Sequence, residues 1–156
     1  MKVMEVKKEL QVSAIENGTA IDHIPANKLF DVINVLGLDK LSNNTVTFGM
    51  NLKSQKQGRK AIIKIWDKFL KDSEINKLAI VAPDAKINII KDYEVVEKKL
   101  VQIPDKVEGI VKCMNPMCIT NHEYVKTKFT VVNKSPIILK CHYCEKMTEE
   151  KNIVVT

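Results

Sequence analysis

Apolar and polar side chains alternate most strictly from Thr45 to Leu52 (TVTFGMNL), where Val46, Phe48, Met50 and Leu52 fall on one side of an extended chain. A period of two predicts a strand with one buried face. The same period runs through Lys60 to Trp66: Ala61, Ile63 and Ile65 share one face, Lys60, Ile62, Lys64 and Trp66 the other. Leu10 to Ile15 alternates more briefly, and Asn17-Gly18 predicts a turn before an extended stretch from Thr19 to Ile24. The period becomes helical after Pro25, a residue suited to a first helical turn. Leu29, Phe30, Ile33 and Leu36 line up, and Gly37 closes the helix. A second helix, capped by Asp72 or Ser73, carries Ile75, Leu78, Ala79 and Ala82 and stops at Pro83. Strands are expected again from Lys86 to Ile90 and from Tyr93 to Val101.

This order predicts an α+β fold, a ferredoxin-like βαββαβ sandwich with helices over one sheet face. Ile103-Pro104-Asp105-Lys106 interrupts the pattern and divides the chain into residues 1–103 and 104–156. The second part offers short strands from Lys128 to Val132, Ile137 to Leu139 and Asn152 to Val155, a small all-β domain. About fifty residues hold too little apolar surface for an independent core.

The cysteines supply what that core lacks. All four lie in the second part, as Cys113-x4-Cys118 and Cys141-x2-Cys144. Two short-spaced pairs let two loops converge on one tetrahedral ion, and zinc is the expected occupant. The alternatives are a rubredoxin-like iron and two disulfides. Lys2, Glu5, Lys7, Lys8 and Glu9 break every apolar run near the start, so no signal peptide is expected and the thiols should stay reduced in the cytoplasm. A site of four thiolates has no open position for substrate, so the metal organises structure. His122 and His142 lie near the cysteines and are expected to be exposed loop residues.

Composition narrows the partners. The chain of 156 residues is 45% hydrophobic and 28% charged, as in globular domains, and has no apolar run of the roughly 20 residues that cross a bilayer. Its net charge of +6 rests on lysine, Arg59 being the single arginine, and points to an anionic ligand or to plain solvated surface. With only 5% aromatic residues there is no platform for stacking bases, which favours a small anion over a polynucleotide. No glycine-rich phosphate loop, HExxH or GxSxG is present, and no enzyme is expected. His23, Lys60, Lys64, Asn88, Ile90, Tyr93 and Lys98 come from segments that pair laterally in such a sandwich, a polar face suited to a nucleotide.

Several runs together resemble one family, the regulatory chain of aspartate carbamoyltransferase. They are Ile21-Asp22-His23-Ile24-Pro25-Ala26, Gly58-Arg59-Lys60 with Ile63-Lys64-Ile65, Tyr93-Glu94-Val95-Val96 and Cys141-x-Tyr143-Cys144-Glu145-Lys146. The resemblance spans nearly the whole chain. It implies a non-catalytic allosteric subunit of pyrimidine biosynthesis that binds CTP and ATP, pairs with its own copy and joins catalytic trimers through a zinc domain. By that similarity Ala14, Ile15, Asn88, Ile90 and Tyr93 border the base, with Val95 as a further contact. Asp22 and Lys64 lie near the ribose, His23 and Lys98 face the phosphates, and Lys60 helps a second nucleotide or neighbouring phosphates. The resemblance makes Cys113, Cys118, Cys141 and Cys144 the zinc ligands, and implies neither nucleic acid nor membrane as partner. Three departures qualify it: Ala20 where valine is common, Glu97 beside Lys98 where glycine occurs, and Met117 where asparagine is common. Ala20 is expected to loosen the pocket floor, Glu97 to set a negative charge near the phosphates, and Met117 to remove a polar contact to the catalytic chain.

Overall fold

The strand at the centre of the first domain, β1 (Gly18–Pro25), is buried along most of its length because it has a neighbour on each side. The computed structural model describes residues 14–54 and 58–156. Around β1, the strands β2 (Val46–Ser54), β3 (Gly58–Trp66), β4 (Lys86–Lys91) and β5 (Glu94–Leu100) form a five-stranded sheet in the order β2-β3-β1-β4-β5, every pair antiparallel. Helices α1 (Leu29–Leu36) and α2 (Asp72–Val81) cover one face. Ile21, Ile63, Ile65, Ile87 and Ile89 of the sheet meet Leu29, Val32, Ile75 and Leu78 of the helices in one buried core. The expected α+β sandwich is therefore present, with β5 added beside β4.

Local chemistry sets the ends of these elements. Gly37 ends α1 in the left-handed region, φ 64°, and its amide bonds the Asn34 carbonyl. Pro25 is the last residue of β1, not a helical residue, and a single 3-10 turn (Ala26–Lys28) separates it from α1. The cap of α2 is Lys71, whose amide bonds the Glu74 carboxylate at 3.1 Å, so neither Asp72 nor Ser73 serves. Thr19 is fully buried and satisfied: its hydroxyl donates to the Lys68 carbonyl at 2.7 Å and accepts from the Leu70 amide at 3.3 Å.

Bulges alter the alternation read from the sequence. The β2–β3 register shifts by one residue between Gly49 and Leu52, where Asn51 takes φ 61°. One extra residue flips everything beyond it, so Leu52 stands opposite Lys60, on the face away from the helices. A second bulge, between Ile21 and Ile24 in the β1–β3 register, places His23 in the left-handed region at φ 61°. Phe30, expected in the α1 core stripe, is 62% exposed and meets Phe48 edge-on at 6.2 Å, while Val32 takes the buried position. The strand expected from Leu10 to Ile15 lies outside the described residues except for Ala14 and Ile15, which form no strand.

The second domain is a four-stranded antiparallel meander of β6 (Lys106–Glu108), β7 (Lys128–Lys134), β8 (Ile137–Cys141) and β9 (Met147–Glu149). Its core of Val107, Val111, Phe129, Ile137 and Leu139 closes on three of the cysteines. Ile80 of α2 completes that core from the first domain. Asn152 to Val155 is not the expected strand: Glu150–Asn152 is a 3-10 turn, and only Val155 bridges Val111. Val155 also packs on the first-domain core, and Asn34 Nδ2 donates to the Thr156 carbonyl at 3.3 Å.

Gly18 opens β1 at φ 147°, and a Cβ there would stand 2.0 Å from the Ile65 carbonyl oxygen. Gly18→Ala is expected to destabilise the chain by about 2–4 kcal/mol, measured by urea denaturation; a loss below about 0.5 kcal/mol would show that β1 and β3 do not approach this closely.

Candidate functional sites: a polar sheet face and a four-cysteine centre

The sheet face away from the helices carries the polar residues singled out from the sequence. Strand pairing sets them in rows. Lys64 stands opposite Ala20, Ala20 opposite Asn88, and Asn88 opposite Lys98, a line across β3, β1, β4 and β5. Two residues along the strands, Asp22 stands opposite Lys86 and Lys86 opposite Leu100. In the other direction Gly18 pairs with Ile90, and Ile90 with Val95. Ile15 is buried here against Ala20, Ile90 and Trp66, which makes this end of the face apolar.

Asp22 organises the charge. Its carboxylate takes the Lys60 ammonium at 3.0 and 3.3 Å and the His23 amide at 2.6 Å, and His23 Nδ1 lies 3.6 Å away. Burial lowers the Lys64 pKa below the ordinary lysine value, and the Asp22 charge opposes that fall. The bulge turns His23 toward a cavity of about 460 Å³ at the strand ends, which Asp84, Lys86 and Leu100 also line. At the opposite end the β4–β5 turn holds Asp92 and Tyr93 at φ 53° and 66°. Their amides bond Asn17 Oδ1 at 3.2 Å and the Glu16 carbonyl at 2.9 Å, which sets Tyr93 beside the Ala14–Ile15 segment.

The structure thus gathers Ala14, Ile15, Asp22, His23, Lys60, Lys64, Asn88, Ile90, Tyr93, Val95 and Lys98 along one face and its two ends. Asn17 and Lys86 belong to the same surface and were not singled out. Lys86 follows from the period of two that selects Asn88 and Ile90; Asn17 had no such signal, because its role is a contact with a distant turn. Glu97 is not beside the face. It pairs with Ile89 on the helix side, where Lys99 holds it at 3.9 Å and reaches Asp72 of α2 at 3.4 Å. The bulge at Val96 does not alter this, since Glu97 and Ile89 are paired beyond it.

In the second domain, the sulfurs of Cys113, Cys118, Cys141 and Cys144 all lie within 4.8 Å of one another. Cys113 and Cys144 are 3.6 Å apart, Cys118 and Cys141 3.8 Å. Tetrahedral zinc, with bonds of about 2.3 Å, sets its sulfurs about 3.8 Å apart. The donor set therefore fits one closed structural zinc. Burial pushes the Cys113 thiol up to about 12, whereas at Cys144 burial is outweighed by hydrogen bonds from Asn115 and the Lys146 amide, which draw it down to about 6. Four thiolates this close repel one another strongly, and a divalent cation removes that conflict. Thr120 donates to the Cys118 sulfur at 3.2 Å, and Asn121 braces the first loop through the Cys113 and Asn115 carbonyls at 3.0 and 2.8 Å. The exposed His122 bonds the Pro116 carbonyl at 2.8 Å and His142 packs on Tyr143, so neither enters the cluster. Met117 is 81% exposed at the tip of the first cysteine loop.

One domain thus carries a polar sheet face and the other a closed four-thiolate centre, a donor set with no open position for substrate. Comparison with known proteins gives the particular family. The family model for the allosteric domain of the aspartate carbamoyltransferase regulatory chain matches residues 10–102, and that for its metal binding domain matches residues 105–154. The aspartate carbamoyltransferase regulatory chain of Pyrococcus horikoshii is 56% identical over 147 residues, 94% of this chain and 97% of that one. That of Bacteroides fragilis is 54% identical over 151 residues, 97% and 98% of the two chains. The chain belongs to the aspartate carbamoyltransferase regulatory chain family. It is a non-catalytic allosteric regulatory chain, and its role implies a catalytic-chain partner. Among the described residues no helix is long and apolar enough to cross a membrane.

Structural zinc supplies on the order of 10 kcal/mol to small domains of this kind. Cys141→Ser is expected to lower bound zinc from one ion per chain and to expose the amides of Phe129 and Leu139 to hydrogen exchange, while those of Ile21 and Ile63 stay protected. Unchanged protection of Phe129 and Leu139 in zinc-free protein would contradict a metal-dependent fold.

Proposed function

We propose that the polar sheet face binds nucleoside triphosphates, CTP and ATP, as effectors of aspartate carbamoyltransferase. Residues 1–103 form the nucleotide-binding domain on this reading, and residues 104–156 the zinc domain that contacts the catalytic chain. The supporting observation is the row Lys64–Ala20–Asn88–Lys98, which sets two cations and an amide around a small residue, with an apolar recess at one end. The base lies against Ala14, Ile15, Ile90, Tyr93 and Val95, largely through main-chain groups. The ribose lies near Asp22 and Lys64, and His23, Lys60 and Lys98 attract the phosphates. The chain works in the cytoplasm, and two copies pair. An edge strand supports that pairing: among the described residues β2 has a neighbour only in β3, and it leaves exposed both Met50 and Phe48, the latter edge-on to Phe30.

An effector changes activity on another chain only by binding two assembly states unequally. The contacts supply a route for that bias. Lys98 meets the phosphates, its neighbour Lys99 holds Asp72 at the start of α2, and Ile80 near the end of α2 sits in the second-domain core. A shift of β5 thus reaches the metal domain through α2 as well as through the connection from Ile103 to Val107.

Lys64→Ala and Lys98→Ala are each expected to weaken CTP and ATP binding about tenfold, roughly one lost charge-assisted hydrogen bond, with zinc content unchanged. Titration calorimetry that finds both variants equal to the wild type would sink this site.

A further inference from the structure

Lys64 lies in the middle of β3 with its side chain half-buried, between Thr47 of β2 on one side and Ala20 of β1 on the other. Beyond Ala20 the same row continues to Asn88 and then to the exposed Lys98. Ala20 offers only a methyl group, and it packs on Ile15 and Ile90. The row is therefore a shallow hollow with an apolar floor, an amine at one side and an amide at the other. Neighbouring strands lie about 4.8 Å apart, so the Lys64 and Asn88 backbones are roughly 10 Å from each other. Their side chains share one face, and a small molecule fills the space between them.

Amines react as nucleophiles only when neutral. Half-burial favours that form, since leaving water costs the charged ammonium more than the amine. The Lys64 pKa is lowered accordingly, with the Asp22 charge opposing the fall. Lys60, on the same strand, is engaged by the Asp22 carboxylate at 3.0 Å. Acyl transfer from a phosphate needs a nucleophile, a donor for the carbonyl oxygen and a cation for the leaving group. Lys64, Asn88 and Lys98 supply these in one line.

Building on the effector reading only in that this face attracts phosphate, we infer that Lys64 is a modification site, which small acyl phosphates acylate without an enzyme. The neutral Nζ attacks the carbonyl carbon while the Asn88 amide steadies the oxyanion. A C–N bond forms, the bond between that carbon and the bridging oxygen breaks, and phosphate leaves beside Lys98 with the amine proton. The product is an amide on Lys64, and no other reactant is consumed. Acylation takes one of the two cations from the row, so effector sensing weakens as acyl phosphates accumulate.

The test is acetylation of the full zinc-loaded chain by acetyl phosphate, followed at each lysine by peptide mass spectrometry. Lys64 is expected to react about tenfold faster than the exposed Lys126 and Lys128 of the metal domain. Acetic anhydride has no phosphate to hold, so it should modify the half-buried Lys64 no faster than those two. Lys98→Gln is expected to slow acetylation of Lys64 by acetyl phosphate about threefold, with the anhydride reaction unchanged. Equal rates at Lys64, Lys126 and Lys128 with acetyl phosphate overturn the site and leave the effector face standing. A preference for Lys64 that anhydride shares in full, or an unchanged rate in Lys98→Gln, does the same. Fast acetylation of Lys64 in a chain that binds neither CTP nor ATP overturns the effector reading alone.

Discussion

Four sulfurs held within a few ångströms of one another are tolerable as thiolates only around a cation, and the second domain is arranged about that constraint. Its sheet contributes Val107, Phe129, Ile137 and Leu139 to a core that is finished by three cysteines and by Ile80 of α2. The loops bearing the cysteines are short and braced, by Asn121 on one side and by the β8–β9 turn on the other. Without a cross-link, so few apolar side chains cannot offset the entropy of ordering the meander. The metal therefore fixes the shape of the surface around the exposed Met117.

The first domain depends on β1 in a different way. A central strand flanked on both sides turns a sequence of alternating residues into rows across the sheet, and the rows decide which side chains meet. The helix side becomes an ordinary apolar core. The other side collects the charges, with Ala20 in the middle keeping the surface shallow. Because Ile80 belongs to a helix that packs on this sheet and to the core of the metal domain, the two domains share structure rather than merely a linker. Sharing of this kind couples the two domains, since packed cores move between discrete arrangements instead of deforming smoothly.

Much of this was legible in the sequence because it rests on local periodicity. The alternation of Lys60 to Trp66 gave the two faces of β3 correctly, and Gly37 and Pro83 closed the helices as their backbone preferences require. Cysteine spacing gave the metal centre. What escaped depends on the third dimension. A bulge costs one residue and leaves no trace in composition, so Leu52 was assigned to the wrong face and the left-handed turn at His23 was not visible. Phe30 fits the helical stripe by spacing, yet the core ends before it reaches that position. Glu97 and Lys98 are neighbours in the chain but lie on opposite faces of β5, which removes the electrostatic effect expected from their adjacency. The strands β6 and β9 are three residues each, too short for any period to register.

The central claim is that a metal-organised domain joins this chain to its catalytic partner. Sedimentation velocity on the purified complex of regulatory and catalytic chains, before and after zinc removal verified by elemental analysis, tests it directly. The account predicts that the complex separates into free catalytic and regulatory species when zinc is gone and reforms when zinc is restored. A complex that sediments unchanged with no zinc bound would contradict it.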